Sequence, residues 1–73
     1  MIKFKVLDFN CSCEYKQLVS EEGTILLEGD FYHDKISSQI EGFELGVFYA
    51  TRGNCIFETV EMGACLTCKL EGE

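Results

Sequence analysis

Proline and tryptophan are absent from this 73-residue chain, histidine and arginine occur once each, and only six residues are basic against thirteen acids. Each scarcity excludes something. The few cations and the lack of a basic cluster argue against a conventional phosphate-contacting nucleic-acid binder or an anionic-membrane binder. No apolar run approaches the roughly 20 residues that span a bilayer, and Met1-Ile2-Lys3-Phe4-Lys5 leads into alternation rather than a signal-peptide core. The expectation is a cytoplasmic protein with no membrane association. Walker, GxGxxG, GxSxG and HExxH motifs are all missing.

What is present is a single small domain over residues 1–73. Apolar residues make up 47% and there are nine aromatics, six Phe and three Tyr, enough for a packed core. A chain of this size buries only about 60% of the surface its unfolded form exposes, so its margin of stability is thin. Net charge is −7 and unevenly placed: residues 1–20 carry +1 and residues 21–73 carry −8. An acidic later half suits a protein partner with a basic surface.

Seven glycines supply the punctuation that proline does not. Between them run short segments rich in aromatic and branched residues, near 2–9, 14–19, 24–28, 31–37, 43–50, 54–62 and 65–70. Ile2, Phe4 and Val6 alternate with Lys3 and Lys5, and Phe43, Leu45, Val47 and Tyr49 alternate with Glu44, Gly46, Phe48 and Ala50. Thr51-Arg52-Gly53-Asn54 then reads as a hairpin loop into a strand carrying Ile56, Val60 and Met62. A helical spacing also runs through Ile36, Ile40, Phe43 and Val47, but Gly42 and Gly46 lie inside it at about 1 kcal/mol each relative to alanine. The pattern therefore predicts an all-β domain, with at most a short helical turn near 36–41: a small antiparallel barrel or sandwich of about five to seven short strands.

Chemistry, if there is any, lies in the cysteines. Cys11-Ser12-Cys13 and Cys65-Leu66-Thr67-Cys68 form two close pairs at opposite ends, and Cys55 is the odd one out. If the first and last strands are neighbours, Cys11, Cys13, Cys65 and Cys68 make a four-thiolate zinc site, the Zn2+ stapling a core too small to be secure. Residues two apart in an extended strand sit too far apart to chelate, so Cys11 and Cys13 converge only if Asn10–Cys13 is a turn or bulge. The spacing resembles that of zinc ribbons, although Lys69 follows Cys68 where a glycine is usual and Leu66 stands where proline is frequent. Cysteines packed as small hydrophobes fit equally well, and disulfides are the third reading, disfavoured by a reducing compartment and an odd thiol count.

Other constellations are weaker. His33 and Cys55 could pair as base and nucleophile only if the fold joined them, and nothing makes any two of Glu41, Glu44, Glu58 and Glu61 face one another across a cleft. Solvated faces account for these acids, and core packing for the aromatic run 42–49, which lacks the cations of a base-stacking groove. The sequence thus points away from an enzyme and toward a protein-binding module with an acidic surface, monomer or homodimer. The alternative is a small acidic inhibitor that mimics nucleic-acid charge against a nucleic-acid-handling protein, resembling in size and acidity the accessory proteins of phages and mobile elements.

Overall fold

The computed structural model describes residues 1–65. Four strands form one open mixed sheet: β1 (Ile2–Phe9), β2 (Lys16–Ser20), β3 (Ile25–Gly29) and β4 (Cys55–Met62), with a helix, α1 (Ile36–Thr51), between β3 and β4. Their order across the sheet is β3-β2-β1-β4, antiparallel for β1 with β2 and β2 with β3, and parallel for β1 with β4. The expectation of a small sheet-dominated domain holds. The barrel or sandwich of five to seven antiparallel strands does not, because among the described residues there are four strands, one pairing is parallel and the sheet stays open.

The first three strands follow from local chemistry. Alternation in β1 sends Phe4 and Val6 to the core face and Lys3 and Lys5 to the other. The β2–β3 connection closes at Gly23 (φ 94°), where Ser20 N–H donates to the Thr24 carbonyl at 2.9 Å and Gly23 N–H to the Ser20 carbonyl at 3.0 Å. That left-handed conformation suits glycine, and a bulge between Leu18 and Val19 keeps Leu18 opposite Leu27 on the core face.

The stretch assigned to a strand at 43–50 is the body of α1, and Thr51–Asn54 is its C-terminal cap rather than a hairpin. Arg52 (φ 56°) and Gly53 (φ 82°) are left-handed, with Gly53 N–H donating to the Phe48 carbonyl at 2.8 Å. Segment 31–37 is likewise a loop running into the first turn of α1. The helical spacing wins because Ile36 and Ile40 are buried and Phe43 packs against them, worth about 1.5–3 kcal/mol each. This outweighs about 1 kcal/mol for each of Gly42 and Gly46, which lie on the exposed side with open space around them.

The core is one layer deep. Val6, Leu18, Ile36 and Ile40 form it, flanked by Phe4, Leu27, Phe43 and Phe57. Phe4 stacks on Phe57 at 4.8 Å, and Phe43 of α1 meets Phe4 edge-on at 5.4 Å. Asp30 and Asp34 fold the β3–α1 loop reciprocally: Asp30 Oδ1 accepts the His33 and Asp34 N–H groups, and Asp34 Oδ2 accepts the Asp30 N–H. Asp34 packs so closely over Gly29 that a Cβ there would meet its carboxylate at 2.5 Å. Among the described residues no helix is long and apolar enough to cross a membrane.

Two substitutions test this arrangement. Leu18→Ala, at a fully buried position, is expected to cost about 3 kcal/mol, a large share of the roughly 4–11 kcal/mol expected of a domain this size. Gly42→Ala is expected to raise stability by about 1 kcal/mol because the position is helical and open. Urea unfolding midpoints report both, and a destabilising Gly42→Ala would contradict the helix.

Candidate metal centre

Parallel pairing of β1 with β4 places Phe9 beside Met62, so both strands end at the same edge of the sheet. The chain beyond each is held there. Asn10 N–H is shared between the carbonyls of Met62 (3.4 Å) and Gly63 (3.2 Å), tying the turn after β1 to the segment after β4. Phe9 N–H donates to the Tyr15 carbonyl at 3.0 Å, and Glu14 N–H to the Cys11 carbonyl at 3.0 Å, closing a tight turn with Glu14 left-handed at φ 52°. From the β3 side, Phe31 N–H donates to the Cys13 carbonyl at 3.2 Å.

This turn converts a two-residue spacing into a convergent pair. Cys11 Sγ and Cys13 Sγ are 3.2 Å apart, and Cys13 Sγ is 3.4 Å from Cys65 Sγ, although Cys65 lies 52 residues away in sequence. All three sulfurs lie within 4.8 Å of one another. Four thiolates at 2.3 Å from a tetrahedral zinc would have sulfur–sulfur edges of about 3.8 Å. The observed separations need to open by only a few tenths of an ångström, and they exceed the roughly 2 Å of a sulfur–sulfur bond. Cys65 is buried, while Cys11 and Cys13 are half-buried at the rim. Three of the four cysteines picked out by spacing are thus together, and Cys68 lies outside the described residues.

The cluster is built to hold negative charge on sulfur. Burial raises the Cys11 thiol, but hydrogen bonds to its sulfur from the N–H groups of Tyr15 and Cys65 and from the thiols of Cys13 and Cys65 outweigh it, bringing the group from 9.0 down to about 6. Tyr15 forms a wall of the site. Its phenol is raised by burial and by donating to Glu28 Oε1 at 3.1 Å, with a further contribution from nearby Cys65. Glu14 is fixed from outside by the Tyr32 hydroxyl at 3.1 Å. Asp8, Glu14 and Glu61 share a cleft with Cys11, so the surroundings favour a cation.

The chain matches no family model, no curated protein and no solved structure. The site is therefore interpreted on its geometry alone. Cys55 opens β4 at the far end of the sheet, beside Glu41, Glu44 and Phe48, about 23 Å along the strand from the cluster end. The loop after β3 holds His33 near the thiol end instead. The topology thus separates His33 from Cys55, and the cluster of metal-ligating groups among the described residues is made of cysteines. Tyr15, Glu14 and the opposition of Asp8 to Glu61 escaped sequence reasoning, since their roles come from the turn geometry and the parallel register. The adjacency of Glu14 and Tyr15 to the CxC pair was the only signal available for the first two.

A pH titration of the metal-free protein, read by ultraviolet thiolate absorbance, is expected to show the first cluster proton leaving near pH 6. Cys11→Ser is expected to remove that step. A first transition near the ordinary cysteine value would contradict the hydrogen-bonded arrangement.

Proposed function

We propose that this domain is a non-enzymatic protein-binding module, held closed by a structural zinc ion on Cys11, Cys13, Cys65 and Cys68, that receives a basic segment of another protein on an acidic corner of its helix-bearing face. Four thiolates would fill a tetrahedral zinc and leave no position for substrate, which fits a staple rather than a catalytic centre. A reducing compartment such as the cytoplasm keeps such ligands available.

The observation that carries the binding role is a pair of like charges in the sheet. Asp8 on β1 stands directly beside Glu61 on β4 in the parallel register. Like charges so placed destabilise a sheet, by about 0.2–1 kcal/mol. Glu14 joins Asp8 and Glu61 in the cleft where β1 and β4 end, and Lys16 on β2 stands across from Asp8 in the antiparallel register. Three carboxylates thus share one corner beside one lysine. The fold gains nothing from this concentration, whereas a lysine- or arginine-rich segment would neutralise it.

A lysine-rich peptide is the direct probe. Its binding to the zinc-loaded protein is expected to weaken steeply as salt is added. Asp8→Asn with Glu61→Gln is expected to lower the affinity about tenfold or more, equivalent to about 1.4 kcal/mol, while leaving the free domain as stable or slightly more so. Undiminished binding by the double variant would overturn the assignment of this corner.

A further inference from the structure

Among the described residues no helix or strand packs on the face of the sheet opposite α1, where Val19 is buried and the charge differs from that of the rest of the chain. Strand alternation puts Lys3, Lys5, Leu7 and Phe9 of β1 on this face, with Ile56, Glu58, Val60 and Met62 of β4 beside them. Glu28 of β3 joins them, held by the Tyr15 hydroxyl. Within a chain of net charge −7, the two lysines of β1 here offset most of the charge of Glu21, Glu28 and Glu58. Ile56 and Met62 are among the exposed large apolar residues.

We propose that this face is the interface of a two-fold homodimer, with β1 of each copy lying over β4 of the other. The argument is complementarity of the face with itself. A two-fold axis parallel to the strands, midway between β1 and β4, brings each residue over its own register neighbour in the second copy. The β1–β4 register then decides the outcome: Lys5 meets the second copy's Glu58, Leu7 meets Val60, and Phe9 meets Met62. Opposite charges and apolar groups are matched twice over by symmetry. Sheets packed this way keep their strands within about 30° of alignment, as the twist of each requires.

A second copy suits this face better than the basic partner of the acidic corner. Copies carrying −7 repel one another over most of their surface, and the open face is where that charge is most nearly offset. Two strands of about 26 Å and two of about 17 Å, at about 4.8 Å spacing, present roughly 400 Å² in projection. That lies below the roughly 800 Å² per partner of a standard stable interface, so the dimer is a micromolar one that dissociates on dilution. It covers Ile56 and Met62 and adds a layer to a face that carries no helix or strand among the described residues.

Sedimentation across a concentration series of the zinc-loaded protein tests this. The wild-type chain is expected to shift from monomer to dimer in the micromolar range. Lys5→Glu is expected to weaken association at least tenfold by setting like charges against Glu58, and Lys5→Glu with Glu58→Lys is expected to restore it to within about threefold. Met62→Lys, at an exposed position that leaves the core intact, is expected to weaken it similarly, which guards against misfolding of the charge variant. A chain that stays monomeric throughout, a dimer indifferent to Lys5→Glu and Met62→Lys, or a charge swap that restores nothing would each overturn the proposal.

Discussion

Parallel pairing between β1 and β4 is the constraint on which the rest of the molecule depends. Two parallel strands cannot be joined by a hairpin; the chain must leave one end of the sheet and return to the other. Here it leaves from β3 at one edge and returns as β4 at the opposite edge, so α1 has to cross one face of the sheet. That crossing supplies Ile36, Ile40 and Phe43 to the core and, among the described residues, leaves the other face without a helix or strand against it. The same pairing ends β1 and β4 side by side, which brings Cys11 and Cys13 against Cys65 and sets Asp8 beside Glu61. The thiol cluster, the acidic corner and the open face are three consequences of one register.

The energetics explain why a staple belongs at that edge. The core is a single small cluster with Leu18 and Ile36 fully buried, and domains of this length rarely gain more than a few kcal/mol from such a core. β4 is an edge strand held by backbone pairing to β1 and by limited packing under α1. Without a link at its end, it is the element first lost by fraying. A thiolate-bound zinc contributes about 10–16 kcal/mol in zinc-finger peptides at neutral pH, far more than the core itself. A metal held by Cys13 and Cys65, 52 positions apart, would place that contribution on the long-range pairing that local chemistry leaves weak.

What could be read from the residues divides along the same line. β1 was legible in the alternation of Phe4 and Val6 with Lys3 and Lys5, and β2, β3 and β4 fell close to their expected limits, because each depends on side-chain pattern and neighbouring turns. α1 was misread as a strand because Gly42 and Gly46 carry an intrinsic helix penalty, and the burial that outweighs it exists only once the sheet is in place. The meeting of the two cysteine pairs was legible as a spacing, conditional on a turn at 10–13 and on neighbouring first and last strands. Asp8 and Glu61 gave no sign of their opposition, since a parallel register between segments 53 residues apart leaves no local trace.

Cobalt(II) substitution tests most directly whether the turn after β1 and the segment after β4 share one ion. One equivalent added to the metal-free protein is expected to give the intense sulfur-to-metal charge-transfer and ligand-field absorption of a tetrahedral thiolate site. Cys13→Ser and Cys65→Ser, one from each end of the chain, should each disrupt that spectrum, while Cys55→Ser leaves it unchanged. A spectrum that survives loss of either Cys13 or Cys65, or that never develops, would contradict the joining of the two ends through a common metal.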